Sequence, residues 1–188
     1  MRLAAGAAFL AALALAGCGG GTKTPAAPAA LAPADAVVRT SQGTFTIRLD
    51  AKDSPHTVAS FEKLARKGFF DGTIFHRIVP GFVIQGGDPT GTGTGGPGYT
   101  TTDPPPAGTH YLKGVVAMAK TSAQAPGTAG SQFFVVTGAD AGLPPDYALL
   151  GRVTSGLAVV EKIGRLGNPA TELPTKRVVV SKITIRTR

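Results

Sequence analysis

The residues best able to do chemistry sit in one stretch, FHRIVPGFVIQGGD, Phe75 to Asp88. It sets Arg77 among aromatic and branched apolar side chains and then runs into glycines. A guanidinium keeps its proton near neutral pH, and burying one unpaired is costly. Arg77 is therefore either paired off for structural reasons or placed on a pocket wall, donating to whatever binds there. Other chemistries find little support. His56, His76 and His110 stand at no metal-ligand spacing and have no usable cysteine beside them. His56 reads as a surface residue at a helix start, and His76 as a structural histidine with its polar atoms satisfied. Neither a nucleophile elbow nor a partnered His and Asp marks a serine hydrolase. The stretch GDPTGTGTGGPGY, Gly87 to Tyr99, holds Gly91-x-Gly93-x-x-Gly96, a formal dinucleotide fingerprint. Pro97-Gly98 denies it the helix that phosphates require. It reads instead as a tight surface loop whose glycines let backbone approach a ligand or another strand.

The elements that must position Arg77 are mostly short strands. Phe45, Ile47 and Leu49 alternate with Thr44, Thr46 and Arg48, the pattern of a strand with one buried face. It pairs with Val37–Thr40 across a turn at Gly43. A helix is expected from Ser54, a candidate cap, and Pro55, through the stripe Val58, Phe61, Leu64 and Ala65, to a stop at Gly68. Lys63, Arg66 and Lys67 belong to its exposed side or last turn. A second helix spans Leu157 to Leu166, burying Val159, Val160, Ile163 and Leu166. Between them lie the apolar runs TIFHRIV, FVIQGG, GVVAMA, SQFFVVT and YALLGRV, and KRVVVSKITIRTR can return to pair with the first strand. Many short strands with two helices predict a mainly β fold, a closed eight-stranded antiparallel β-barrel capped by two α-helices.

The 188 residues suit one globular domain, and 26 glycines with 15 prolines point to a turn-rich one. The net charge is +8, but the basic residues are scattered, with no basic tract and no interleaved aromatics, so a solvated basic surface is expected and no nucleic-acid partner. Residues 1–17, MRLAAGAAFLAALALAG, have one arginine near the start and an apolar run too short for a bilayer, which needs about 20 residues. They have the shape of a secretory signal. The sequence LAGC, Leu15 to Cys18, resembles a bacterial lipobox, which makes Cys18 the lipidation site, with two or three acyl chains giving a stable membrane anchor. Residues 18–35 are rich in Gly, Ala and Pro and read as a flexible tether reaching ~50 Å at ~3.1 Å per residue. The folded domain is assigned to residues 36–188.

FHRIVPGFVIQGGDPTGTGTGG, followed downstream by GVVAMA and GSQFFVVT, closely resembles the cyclophilin family of peptidyl-prolyl cis-trans isomerases. The resemblance runs from about Val37 to the C-terminus. It implies an eight-stranded barrel with two helices, an active groove outside the barrel, no cofactor or metal, and a monomer. It makes Arg77 the catalytic donor, with Gln85 orienting it and binding the peptide. Phe82, Val83, Phe134 and Leu143 would line a pocket for the proline ring. Ala119 and Lys120 would offer backbone groups to an extended substrate, with Thr121, Gln132 and Gly93 bordering the preceding subsite. Tyr147 stands where many members have histidine, Val83 where methionine is frequent, and Lys120 where asparagine is frequent. Gly142 replaces the tryptophan of cyclosporin-sensitive members, which implies weak binding of that drug.

The expected function is isomerisation of X-Pro bonds in exported proteins. The partners are proline-containing peptides and unfolded exported chains, met in a bacterial envelope outside the cytoplasm by a lipid-anchored enzyme. Two readings stand beside it. A binding module would hold proline peptides without turnover, and a barrel lipoprotein would hold an apolar ligand inside. The bulky Ile, Val, Leu and Phe of the strands argue against an internal cavity.

Overall fold

The computed structural model describes residues 31–188. The signal segment, Cys18 and most of the tether lie outside the described residues. Strands β1 (Ala34–Thr40) and β2 (Gly43–Leu49) form the expected hairpin. Gly43 takes φ +133°, which residues with a Cβ rarely adopt. Ala34 and Asp35, counted above with the tether, already pair with Thr187 and Arg186. Phe45, Ile47 and Leu49 are buried, as their alternation requires.

Helix α1 (Pro55–Arg66) follows, then β3 (Arg77–Val79), β4 (Val83–Gly86), β5 (Thr101–Thr102), β6 (Val115–Met118), β7 (Thr128–Ala129), β8 (Phe133–Val136) and β9 (Leu149–Ser155). Helix α2 (Leu157–Gly164) and β10 (Val180–Thr187) complete the chain. Eight strands form one antiparallel sheet in the order β10-β1-β2-β9-β6-β8-β4-β3, and β5 pairs with β7 separately. The final strand pairs with the first, as expected.

The sheet does not close into the expected barrel. Its edges, β10 and β3, share no ladder. Strand β3 has only three residues before Pro80, and the N–H of Ile78 donates to Glu172 O at 2.8 Å rather than to a strand. Ile74 makes an isolated bridge to Val179 across the gap. The result is a curled sheet, a half-barrel.

Curling sorts the apolar runs into two sets. In β4, β6 and β8 nearly every residue is buried, although successive side chains point to opposite faces. Ile84, Val116, Met118, Phe133 and Val135 join the main core with the stripes of both helices. Val83, Val115, Ala117, Phe134 and Val136 have the opposite parity and build a second, smaller cluster on the other face. That second cluster matters for function.

Helix α1 buries Val58, Phe61, Leu64 and Ala65, with Lys63, Arg66 and Lys67 exposed. Its cap differs from expectation. Among the described residues Ser54 Oγ meets no partner, and the carboxylate of Asp103 serves the helix start instead. Thr57 N donates to Asp103 Oδ2 at 2.6 Å, and His56 Nδ1 lies 2.8 Å from Oδ1. A carboxylate accepts the unpaired N–H and complements the positive helix terminus, a better partner than a hydroxyl. In α2, Val160 and Ile163 are fully buried and Val159 packs at the core's margin; the helix ends at Gly164, short of the expected Leu166, which packs at the margin beyond it.

Candidate active site

The second apolar cluster lies on the face of the sheet opposite the main core, and a polar pocket adjoins it at Ala119. Register brings its parts into line. Arg77 faces Gln85, Gln85 faces Phe134, Phe134 faces Ala117, and Ala117 faces Leu149. These residues form one row across five strands. Around it gather Phe82, Leu143, Ala119 and Tyr147, half-buried and packed on Val83, Phe134 and Tyr111. The rings of Phe134 and Tyr147 meet edge to face, with centroids 5.5 Å apart. Tyr111 lies behind them, fully buried. Its hydroxyl donates to Tyr147 O at 2.7 Å and accepts from Tyr147 N at 2.9 Å, which fixes the Tyr147 backbone. Burial pushes the Tyr111 phenol up to about 12, partly offset by its bond to the Tyr147 carbonyl.

The polar half is a pocket of about 560 Å³ that includes Gln85, Gly93, Ala119, Lys120, Thr121 and Gln132 in its lining. Gln132 organises it. Its amide nitrogen donates to Gly93 O and Gly95 O, each at 2.9 Å, and its oxygen accepts from Gln85 Nε2 at 3.0 Å. The backbone of Ala119 is half used, because its N–H donates to Gln132 O at 2.8 Å. Its carbonyl accepts no backbone bond among the described residues. The Lys120 ammonium turns inward, 3.0 Å from Gln124 O, 3.9 Å from Asp146 Oδ2 and 5.5 Å from the Tyr147 ring centroid. Thr121 and Gly93 are exposed on the rim, and Gly142 stands exposed beside Leu143.

Arg77 joins the two halves. It is 35% exposed, its guanidinium carbon 6.0 Å from the Phe82 ring centroid. Nε donates to Glu172 Oε2 at 2.6 Å, and Nη1 reaches Gln85 Oε1 at 3.4 Å. Of the alternatives posed by its sequence context, the pairing is present, and the guanidinium is also partly exposed beside the apolar cluster.

The glycine loop is tied from below by Asp88, which is wholly buried. Its carboxylate accepts from the N–H groups of Thr90 (2.7 Å), Gly93 (2.6 Å) and Gly95 (3.1 Å), and from the Thr90 hydroxyl (2.8 Å). Burial alone would raise its pKa, but these donors prevail and bring it down to about 2. A Cβ on Gly95 would collide with Asp88 Oδ1, so the close approach requires glycine there. His76 lies beneath Gly93, buried, and neither ring nitrogen has a partner among the described residues. It is structural but not satisfied, contrary to the sequence reading. Burial lowers its pKa; Asp88 opposes that and Arg77 adds to it.

Glu172, Asp88 and Tyr111 escaped the sequence reading. Asp88 ends the motif and follows two glycines, a usable signal for a loop anchor. Glu172 is 95 residues from Arg77 and carries no local signal.

An apolar cluster and a polar pocket thus adjoin each other, with Arg77 held beside them by Glu172. Comparison with known proteins gives the family. Residues 36–185 match the family model described as cyclophilin type peptidyl-prolyl cis-trans isomerase/CLD. Peptidyl-prolyl cis-trans isomerase A of Mycobacterium tuberculosis is 37% identical over 189 residues, covering 91% of this chain and all of that one. Peptidyl-prolyl cis-trans isomerase-like 1 of Neurospora crassa is 38% identical over 152 residues, 79% of this chain and 91% of its own. A crystal structure of a Cryptosporidium parvum cyclophilin type peptidyl-prolyl cis-trans isomerase superposes with a TM-score of 0.76 at 29% identity, covering 83% of this chain and 99% of that one. A second structure of that protein was solved in the presence of the dipeptide Ala-Pro. The chain belongs to the cyclophilin-type peptidyl-prolyl cis-trans isomerase family.

Proposed function

We propose that the chain catalyses cis-trans isomerisation of X-Pro bonds in exported proteins, with Arg77 as the catalytic donor. Rotation about an X-Pro bond is slow, taking about tens to hundreds of seconds unaided. No bond is broken, so no nucleophile, metal or acid–base pair is required. In the twisted state the prolyl nitrogen loses conjugation with the carbonyl, becomes pyramidal and regains a lone pair. A hydrogen-bond donor aimed at that lone pair stabilises the twisted state more than either planar one. The position of Arg77, clamped beside an apolar seat on an open groove, carries the reading. Phe82, Val83, Phe134, Leu143 and Tyr147 seat the proline ring. The Ala119 carbonyl and the Lys120 backbone hold the extended chain, while Thr121, Gln132 and Gly93 border the residues before the proline.

The test is the cis-to-trans rate of an Ala-Pro-Phe peptide with the unmutated protein and Arg77→Ala side by side. The expected result is an acceleration that falls by roughly 10²–10³-fold in the variant, the usual cost of losing one transition-state donor, while peptide binding persists. Peptide binding by the unmutated protein without acceleration overturns the reading and leaves a proline-peptide binding module.

The envelope location is part of the same proposal. It is supported by the apolar leader and by LAGC, which holds the chain's sole cysteine, Cys18. No helix among the described residues is long and apolar enough to cross a membrane, so attachment would rest on the acylated Cys18. Palmitate labelling and membrane fractionation of the wild type and Cys18→Ser test it. Equal membrane recovery of both would sink the anchor.

A further inference from the structure

Glu172 combines a left-handed backbone with an ion pair to Arg77. It is the one non-glycine residue with positive φ among the described residues, at 59°. All the other left-handed positions hold glycine, and a residue with a Cβ is strained there. Its carboxylate is 45% exposed and pairs with an arginine 35% exposed. Exposed ion pairs of this kind contribute little to stability. Glycine would suit this backbone better, so a carboxylate kept there for a weakly stabilising contact points to a function of its side chain.

The loop around Glu172 is fastened to the strand that carries Arg77. Glu172 O accepts from Ile78 N, the residue after Arg77, and Glu172 N donates to Asn168 O, both at 2.8 Å. Asn168 Oδ1 accepts from Ala170 N and Thr171 N, and Thr175 N closes the loop on Leu166 O at 2.7 Å. A Cβ at Gly167 would collide with Ile78 O, so this loop lies directly against β3. Backbone bonds thus fix the Glu172 carboxylate relative to the Arg77 backbone, and the carboxylate takes Nε at 2.6 Å.

We propose that Glu172 is the positioning residue of the isomerase site. It holds the inner edge of the Arg77 guanidinium so that the outer N–H groups face the prolyl nitrogen. The inference rests on Arg77 being the catalytic donor. An unheld arginine samples many rotamers, and the 3.4 Å contact to Gln85 Oε1 is too long to restrain it alone. Holding Nε by charge-assisted contact leaves Nη2 and the far N–H of Nη1 for the substrate.

Glu172→Gly separates positioning from folding, because glycine suits the left-handed backbone and removes only the side chain. Four proteins are compared: wild type, Glu172→Gly, Arg77→Ala and the double variant. Melting temperature, Ala-Pro-Phe isomerisation and the NMR signal of the Arg77 Nε–H are measured. Glu172→Gly is expected to melt at or above the wild-type temperature and to keep KM. Its kcat is expected to fall by roughly ten- to a hundred-fold, in the range that a small misplacement of a catalytic group costs. The slowly exchanging Nε–H signal should be lost. In the Arg77→Ala background the same change should have no further effect, and Glu172→Gln, a neutral acceptor of equal reach, should restore part of kcat. Unchanged kcat in Glu172→Gly, or equal losses with and without Arg77, overturns the proposal while Arg77 stands. An unchanged rate in Arg77→Ala overturns the catalytic reading and this one with it.

Discussion

Gln85 and Gln132 sit side by side on the groove floor, the amide nitrogen of Gln85 3.0 Å from Gln132 Oε1. Through this contact the Arg77 side of the site is coupled to the glycine loop, because the other end of Gln132 holds the carbonyls of Gly93 and Gly95. Gln132→Ala removes three side-chain hydrogen bonds at once. Each contributes about 1 kcal/mol, so peptide KM is expected to rise several-fold with a smaller change in kcat. Steady-state kinetics on the variant would check it. An unchanged KM would mean that the loop holds its place without Gln132.

Asp88 should make the protein acid-sensitive in a narrow window. Its folded pKa of about 2 lies below the ordinary 3.8, so the unfolded chain takes up the proton first as pH falls. The stabilisation it provides is present above pH 3.8 and disappears as pH drops toward 2, a loss of about 2 kcal/mol. Urea melts between pH 5 and pH 2 should show this slope, and Asp88→Asn should flatten it while lowering stability at neutral pH.

His76 predicts a second, milder window. Burial disfavours its charged form and lowers its pKa from 6.5, opposed by Asp88. Below that ordinary value the unfolded chain binds the proton preferentially, so stability decreases with acidity from about pH 6.5 downward. His76→Gln should remove this part of the pH dependence and leave the Asp88 slope in place. Melts from pH 8 to pH 5 that are identical for the two proteins would contradict it.

Tyr111→Phe should loosen the apolar seat without emptying it. The ring stays, but Tyr147 N and O both lose their partner in a buried place. Such a loss costs about 1–3 kcal/mol, and the displaced Tyr147 should weaken peptide binding as well. Thermal melts and peptide titration measure the two effects separately.

The elements were legible where one face of a strand or helix is solvated. The Phe45–Leu49 alternation and the Val58–Ala65 stripe carry their own sidedness, and both elements are where periodicity puts them. The runs in β4, β6 and β8 carry none, because both faces are covered, one by the core and one by the groove cluster. Periodicity alone cannot tell Phe134 from a core residue, and only the motif resemblance singles it out for the site. The closed barrel failed for a local reason: Pro80 ends β3 after three residues, and Glu172 takes the N–H that a closing strand would have used. The helix cap failed similarly, since nothing local to Ser54 announces Asp103.

The sheet order has a mechanical consequence. Strand β1, the first after the N-terminal segment, is not at an edge but lies between β10 and β2, and the last residue closes on it through Arg188 N and Pro33 O at 2.9 Å. Ladder bonds in antiparallel pairs run across the strands. A pull along β1 from its N-terminal end would load both flanking ladders together in shear, rather than peel them open one bond at a time. Along the ladders, such a load would reach the row from Arg77 to Leu149 only after crossing β2.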